Sequence, residues 1–93
     1  MKPIRQIRIR EMRLPAARDR LEQELNDAFL AGEQRVHVLH GIGSGALKKM
    51  TAEVVSQYDF CRLVELDATL YNPGISVVDL FPPDPSAIRQ YMA

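Results

Sequence analysis

Val36-His37-Val38-Leu39-His40-Gly41-Ile42-Gly43-Ser44-Gly45-Ala46-Leu47-Lys48-Lys49-Met50 is a short β-branched apolar run, three glycines at alternate positions, then a helix-compatible stretch. That order reads as a strand leaving a core, a glycine-rich turn and the first turn of a helix. Glycines let the backbone pass close to a ligand, and the first amides of a helix point outward without intrahelical partners. Such a turn suits an anion, and phosphate is the obvious one. The same spacing also serves a tight strand-to-helix connection with no ligand. His40, at the strand end, can hydrogen-bond a phosphate oxygen or carry a proton near neutral pH, although a lone histidine is commonly structural. Lys48 and Lys49 sit at the helix start, where cations oppose the helix dipole by about a few tenths of a kcal/mol. They are either tolerated at the surface or hold an external anion.

Working outward, Ile7-Arg8-Ile9-Arg10 alternates with period two, which buries the isoleucines and puts Arg8 and Arg10 together on the other side. Leu14, Ala17, Leu21, Leu25, Ala28 and Phe29 recur at helical steps, Pro15 falls in a first turn, and Gly32 supplies a left-handed stop. This helix provides the crossover that makes 36–39 a buried strand parallel to the first, with His37 pointing alongside Leu39 and packing. Leu47, Met50, Val54 and Val55 form the stripe of a second helix. Phe60 to Leu66 and Ile75 to Leu80 read as an antiparallel pair, with Asn72-Pro73-Gly74 suiting a type II turn. The proline-rich stretch after Phe81 ends the last strand and leaves one short helical turn or a mobile end. The expected fold is an α/β two-layer βαβαββ domain with two helices on a mixed four-stranded sheet. It occupies 1–93 as one domain, with its core at about 5–81 and a tail over 82–93.

Lysines and arginines total 12 and acids 12, so bulk charge gives no argument for a polyanion. Distribution does: seven cations face Glu11 and Asp19 in the first twenty residues, an excess of +5 that the remainder cancels. An arginine-dense edge can grip a phosphate backbone, or form an ordinary solvated face. The single Cys61 offers neither an internal disulfide nor a metal knuckle, and reads as a small buried hydrophobe in a reducing compartment, by default the cytoplasm. Neither a signal peptide nor a membrane span is expected, and no cofactor or metal is called for.

The chain resembles the Smr (small MutS-related) domain family over roughly residues 7 to 80. His40-Gly41-x-Gly43-x-Gly45-x-Leu47-Lys48 is similar to the family's HGxGxG turn followed by Leu and a basic residue. Ala31-Gly32, Gly74, Val78 and Leu80 also fall where the family places them. Such domains are implicated in nucleic-acid binding and several are endonucleases, so the resemblance implies a phosphodiester-handling site around His40. Two departures stand out. The family's first motif reads Leu-Asp-Leu-His/Arg-Gly, whereas Ile7-Arg8-Ile9-Arg10-Glu11 keeps the basic residue at Arg10 but replaces Asp by Arg8 and Gly by Glu11. Ile42 stands where many members carry lysine.

A carboxylate that could orient a histidine or accept a proton has therefore become a cation, which disfavours an imidazolium. Glu11 can stand in only if the strand ends before it, since strict alternation sends its side chain away from Arg10. Two readings follow. In the enzyme reading His40 handles the proton, Gly41, Gly43, Ser44 and Gly45 seat a phosphate with Lys48 and Lys49, and Arg8 and Arg10 stabilise developing charge. In the module reading the same surface binds nucleic acid, DNA or RNA, or a partner protein, without turnover. A mononucleotide-binding fold ranks last, because a second βαβ half is missing. Oligomeric state and metal requirement stay open.

Overall fold

The computed structural model describes residues 3–64 and 72–81. Its elements are β1 (Arg5–Arg8), α1 (Leu14–Leu30), β2 (Arg35–Leu39), α2 (Ala46–Ser56), β3 (Cys61–Leu63) and β4 (Ile75–Leu80). The sheet order is β1-β2-β4-β3. β1 runs parallel to β2, and β4 runs antiparallel to both β2 and β3. The βαβαββ sandwich expected from the sequence is therefore the fold, with β3 and β4 paired as anticipated. Both crossovers travel the same way along the sheet, so the right-handed rule puts α1 and α2 on one face.

Between them lies the core. Ile7, Ile9, Val36, Val38 and Val78 reach it from the sheet, Ala17, Leu21, Leu25 and Ala28 from α1, and Met50, Val54 and Val55 from α2. α1 opens with Pro15 in its first turn and closes at Gly32, whose φ of 75° permits a Schellman ending: Gly32 N–H donates to Phe29 O and Glu33 N–H to Ala28 O.

Four expectations need correction. Leu14 is largely exposed and Phe29 only half-buried, because Phe29 leaves the core stripe to stack on Phe60 at a centroid distance of 4.3 Å. β2 is not buried on both faces, since one-sided helices leave His37 and Leu39 half-covered. The turn at 72–75 is closed by Ile75 N–H to Asn72 O and by Gly74 N–H to Asn72 Oδ1, but Gly74 lacks the positive φ of a type II turn. β1 stops at Arg8 rather than continuing through Arg10. Ile9 O instead accepts from Met12 N–H at 3.1 Å, closing a turn whose third residue, Glu11, takes φ 67°. That is type II geometry, which favours glycine, the residue the family pattern has there. β3 is described only to Leu63 and Val64 follows it, so the expected strand's end at 65–66, like the tail over 82–93, lies outside the described residues.

Candidate functional site

The C-terminal ends of β1 and β2, the glycine turn and the start of β4 enclose a cleft of about 740 Å³. Arg10, Glu11, His40, residues 41–45 and Lys48 line it, with Asn72 and Gly74 opposite. Arg8 and Lys49 do not. Arg8 lies exposed on the helix-free face with its guanidinium 3.5 Å from Gln6 Oε1, and Lys49 is exposed on α2. The early end of β1 separates the two arginines that alternation had paired.

Left-handed backbone at Gly41, Gly43 and Gly45, with φ of 76°, 37° and 85°, shapes the turn. Its donors are unevenly committed. Gly74 O accepts both His40 N–H at 3.1 Å and Gly41 N–H at 3.0 Å, so the Gly41 amide, expected to seat an anion, is already used. Among the described residues the amides of Ile42, Gly43, Ser44 and Gly45 have no hydrogen-bond partner. Ser44 turns its hydroxyl to the helix start, accepting from Ala46 N–H at 3.4 Å. α2 has no other side-chain cap, and its dipole adds to the pull on an anion. The Arg10 stem lies over the turn: a Cβ on Gly41 would meet Arg10 Cγ at 3.2 Å. The guanidinium stays exposed, with Nε 3.9 Å from Glu11 Oε1. Termination of β1 thus brings Glu11 to the cleft, the condition under which it can replace the missing Asp.

His40 departs most from expectation. Its side chain points into the molecule and is only 3% exposed. Nδ1 lies 2.8 Å from Gly41 O, and Nε2 lies 2.8 Å from Ser76 Oγ. A carbonyl only accepts, so in the neutral ring Nδ1 carries the proton and Nε2 accepts from the Ser76 hydroxyl. Neither nitrogen is offered to a phosphate in the cleft. Ser76 was missed by sequence reasoning. Its signal was a polar residue on the inward register of β4, where a partner is required.

The amino-terminal excess of positive charge is dispersed. Arg5 pairs with Glu33 at 2.7 Å, Arg18 with Glu22 at 3.3 Å and Arg20 with Glu24 at 3.1 Å. A second cleft, about 650 Å³ at the opposite sheet end, contains the Arg5–Glu33 and Arg35–Asp79 pairs. There the Arg35 hydrogen bond holds the Asp79 carboxyl below its ordinary range. Among the described residues no three His, Cys, Asp or Glu side chains cluster to hold a metal. No helix among them is long and apolar enough to cross a membrane.

The family model for the Smr domain matches residues 7–79. The chain belongs to the Smr family. Curated relatives include the endonuclease MutS2 of Geobacillus sp. (strain WCH70), 36% identical over 62 residues, which are 66% of this chain and 8% of that protein. The putative endonuclease MutS2 of Bacillus subtilis (strain 168) is 34% identical over 73 residues, covering 77% of this chain and 9% of that one. This Smr domain therefore spans less than a tenth of the length of the curated relatives it matches. The Smr domain of Thermus thermophilus MutS2 shares its fold, with a TM-score of 0.76 at 24% identity over 85% of this chain and 100% of that one.

Proposed function

We propose that this Smr domain binds the phosphate backbone of nucleic acid in the cleft at the C-terminal ends of β1 and β2. The observation that carries the reading is the run of four unpartnered amides, residues 42–45, in the cleft that the exposed Arg10 also lines. Amides at a helix start hold a phosphate oxygen without regard to base, and an arginine fork adds charge-assisted hydrogen bonds. Backbone contacts position a nucleic acid rather than read it, so little sequence preference follows. Homology to MutS2 Smr domains supports the same assignment.

Binding is favoured over cleavage because both His40 nitrogens are engaged and Arg8 stands in place of a carboxylate. An endonuclease reading keeps one supporting observation: Glu11 lines the cleft beside Arg10, so a proton acceptor is present there. In that reading Glu11 takes a proton from the attacking water, Arg10 stabilises the charge developing on the phosphoryl oxygens, and the P–O bond to the leaving oxygen breaks as that oxygen takes a proton from solvent.

Fluorescence anisotropy with labelled single-stranded DNA and RNA, across a salt series, tests the binding reading. Affinity is expected to fall linearly in log–log form, with Arg10→Ala reducing the slope by about one and Arg8→Ala changing it less. Salt-insensitive binding, or none, rejects the reading and turns attention to a protein partner. Incubation with supercoiled plasmid and structured RNA, with and without divalent metal, decides cleavage. Nicking lost in Glu11→Gln supports the enzyme reading; nicking that survives Glu11→Gln, Arg10→Ala and His40→Ala alike marks a contaminant.

A further inference from the structure

Three hydrogen bonds tie the glycine turn to the start of β4, and a fourth closes within the turn. Gly74 O takes two backbone amides, His40 Nε2 takes the Ser76 hydroxyl, and His40 Nδ1–H closes on Gly41 O. The last bond governs more than the ring. In a planar trans peptide the carbonyl and the following N–H point in opposite directions. Pinning Gly41 O inward against a buried imidazole therefore turns the Ile42 N–H away from the ring, outward from the molecule. Ile42 N–H is the first of the four open amides that line the cleft.

The inward pin requires the proton on Nδ1. A ring protonated at Nε2 would face the Gly41 carbonyl with a lone pair, and the peptide would be driven to rotate. The Gly41 carbonyl, which only accepts, selects that form and leaves Nε2 a bare acceptor in need of a partner. That partner is Ser76, on the neighbouring central strand, 2.8 Å away. Its hydroxyl can donate to Nε2, and the ring is too deeply buried for bulk water to do so freely.

We infer that Ser76 is a positioning residue for the turn: its hydroxyl, donating to Nε2, holds the Nδ1–H ring of His40 against Gly41 O, and the ring so held directs the Ile42 amide outward to an anion. The inference deepens the phosphate-binding reading and rests on it for the identity of the ligand, whereas its tautomer component stands without any ligand. His40 in this arrangement shapes the anion site and transfers no proton.

The test compares wild type, Ser76→Ala and Ser76→Thr, each labelled with ¹⁵N. Long-range ¹H–¹⁵N spectra at alkaline pH, where an imidazole is neutral, read the His40 tautomer. Wild type and Ser76→Thr are expected to show Nδ1–H with the Nε2 resonance of a hydrogen-bonded acceptor, and Ser76→Ala to move Nε2 toward the position of an unbonded ring nitrogen. Hydrogen exchange at the His40 and Gly41 amides should quicken about tenfold in Ser76→Ala, with Val38 in the core unchanged, which separates a loosened turn from a destabilised fold. Titration with inorganic phosphate should shift the Ile42 amide resonance in wild type, and with about tenfold weaker affinity in Ser76→Ala. An Nε2–H tautomer in wild type, or an Nε2 resonance unmoved in Ser76→Ala, overturns the inference. So does loss of the Nε2 hydrogen bond that leaves phosphate affinity intact. If wild type binds neither phosphate nor oligonucleotide, the functional reading fails while the tautomer and exchange results still decide the role of Ser76.

Discussion

Replacing Glu11 by glycine should make this Smr domain more stable, although it removes a charged side chain from a cleft. Glu11 holds φ 67°, and no other non-glycine residue among those described has a positive φ. Left-handed backbone costs an L-residue about 1–2 kcal/mol through its Cβ. Glycine avoids that but loses about 0.5–1 kcal/mol more backbone entropy on folding. The Arg10 contact forfeited is exposed on both sides, spans 3.9 Å, and is worth a few tenths of a kcal/mol at about the low end of surface pairs. The expected net gain is about 0.2–0.7 kcal/mol, or roughly 1–6 °C in Tm for a domain of this size. Glu11→Ala is the control, because it deletes the carboxylate yet keeps the Cβ, and it should leave stability nearly unchanged. Urea unfolding followed by far-ultraviolet circular dichroism suits a chain with no tryptophan. A glycine variant no more stable than the alanine variant would show that the turn carries no strain.

Gly41→Ala and Gly43→Ala should each cost about 1 kcal/mol of stability through their left-handed backbone. Only Gly41→Ala places a methyl 3.2 Å from the Arg10 stem, while Gly43 has open space, so only the former should flatten the salt dependence of oligonucleotide binding. Arg35 holds Asp79 ionised, so the stabilisation it confers is present above the ordinary carboxylate value of 3.8 and is lost as pH falls below it. Unfolding free energies of wild type and Arg35→Gln from urea titration should therefore differ by under about 1 kcal/mol at neutral pH and converge in strong acid. Burial pushes the Cys61 thiol from 9.0 up to about 11. A folded-state value above the unfolded one means stability undiminished below pH 9.0 and falling from there toward about 11, with Ellman's reagent slow to react until the protein unfolds.

Much of the architecture was legible because its signals are local. The alternation at Ile7 and Ile9, the helical spacing from Ala17 to Ala28 and the stop at Gly32 are each read within a few residues. What escaped depended on distant partners or on small backbone choices. Nothing near Gly74 says that its carbonyl will take two amides from the glycine turn, nor does Ser76 announce a histidine 36 residues upstream. The reach of β1 was overread for a different reason. Ile9 is buried and still donates to Leu39 O, so the period-two pattern outlasts the strand by one residue, and the chain then turns at Arg10 and Glu11. Composition likewise concealed where charge acts, since helical i,i+4 pairing absorbs Arg18 and Arg20 beside acids that a running tally counts elsewhere.

The anchoring of the glycine turn on β4 sets an order for biogenesis. During synthesis, His40 and its glycines leave the ribosome about thirty residues before Gly74 and Ser76, and β2 can dock on β1 and α1 in that interval. Until β4 inserts between β2 and β3, the loop has lost the acceptor for two of its amides and the donor for its imidazole. A nascent chain halted before residue 74 therefore carries the whole glycine signature without the contacts that shape the turn, so the proposed phosphate site is complete only once β4 is in place.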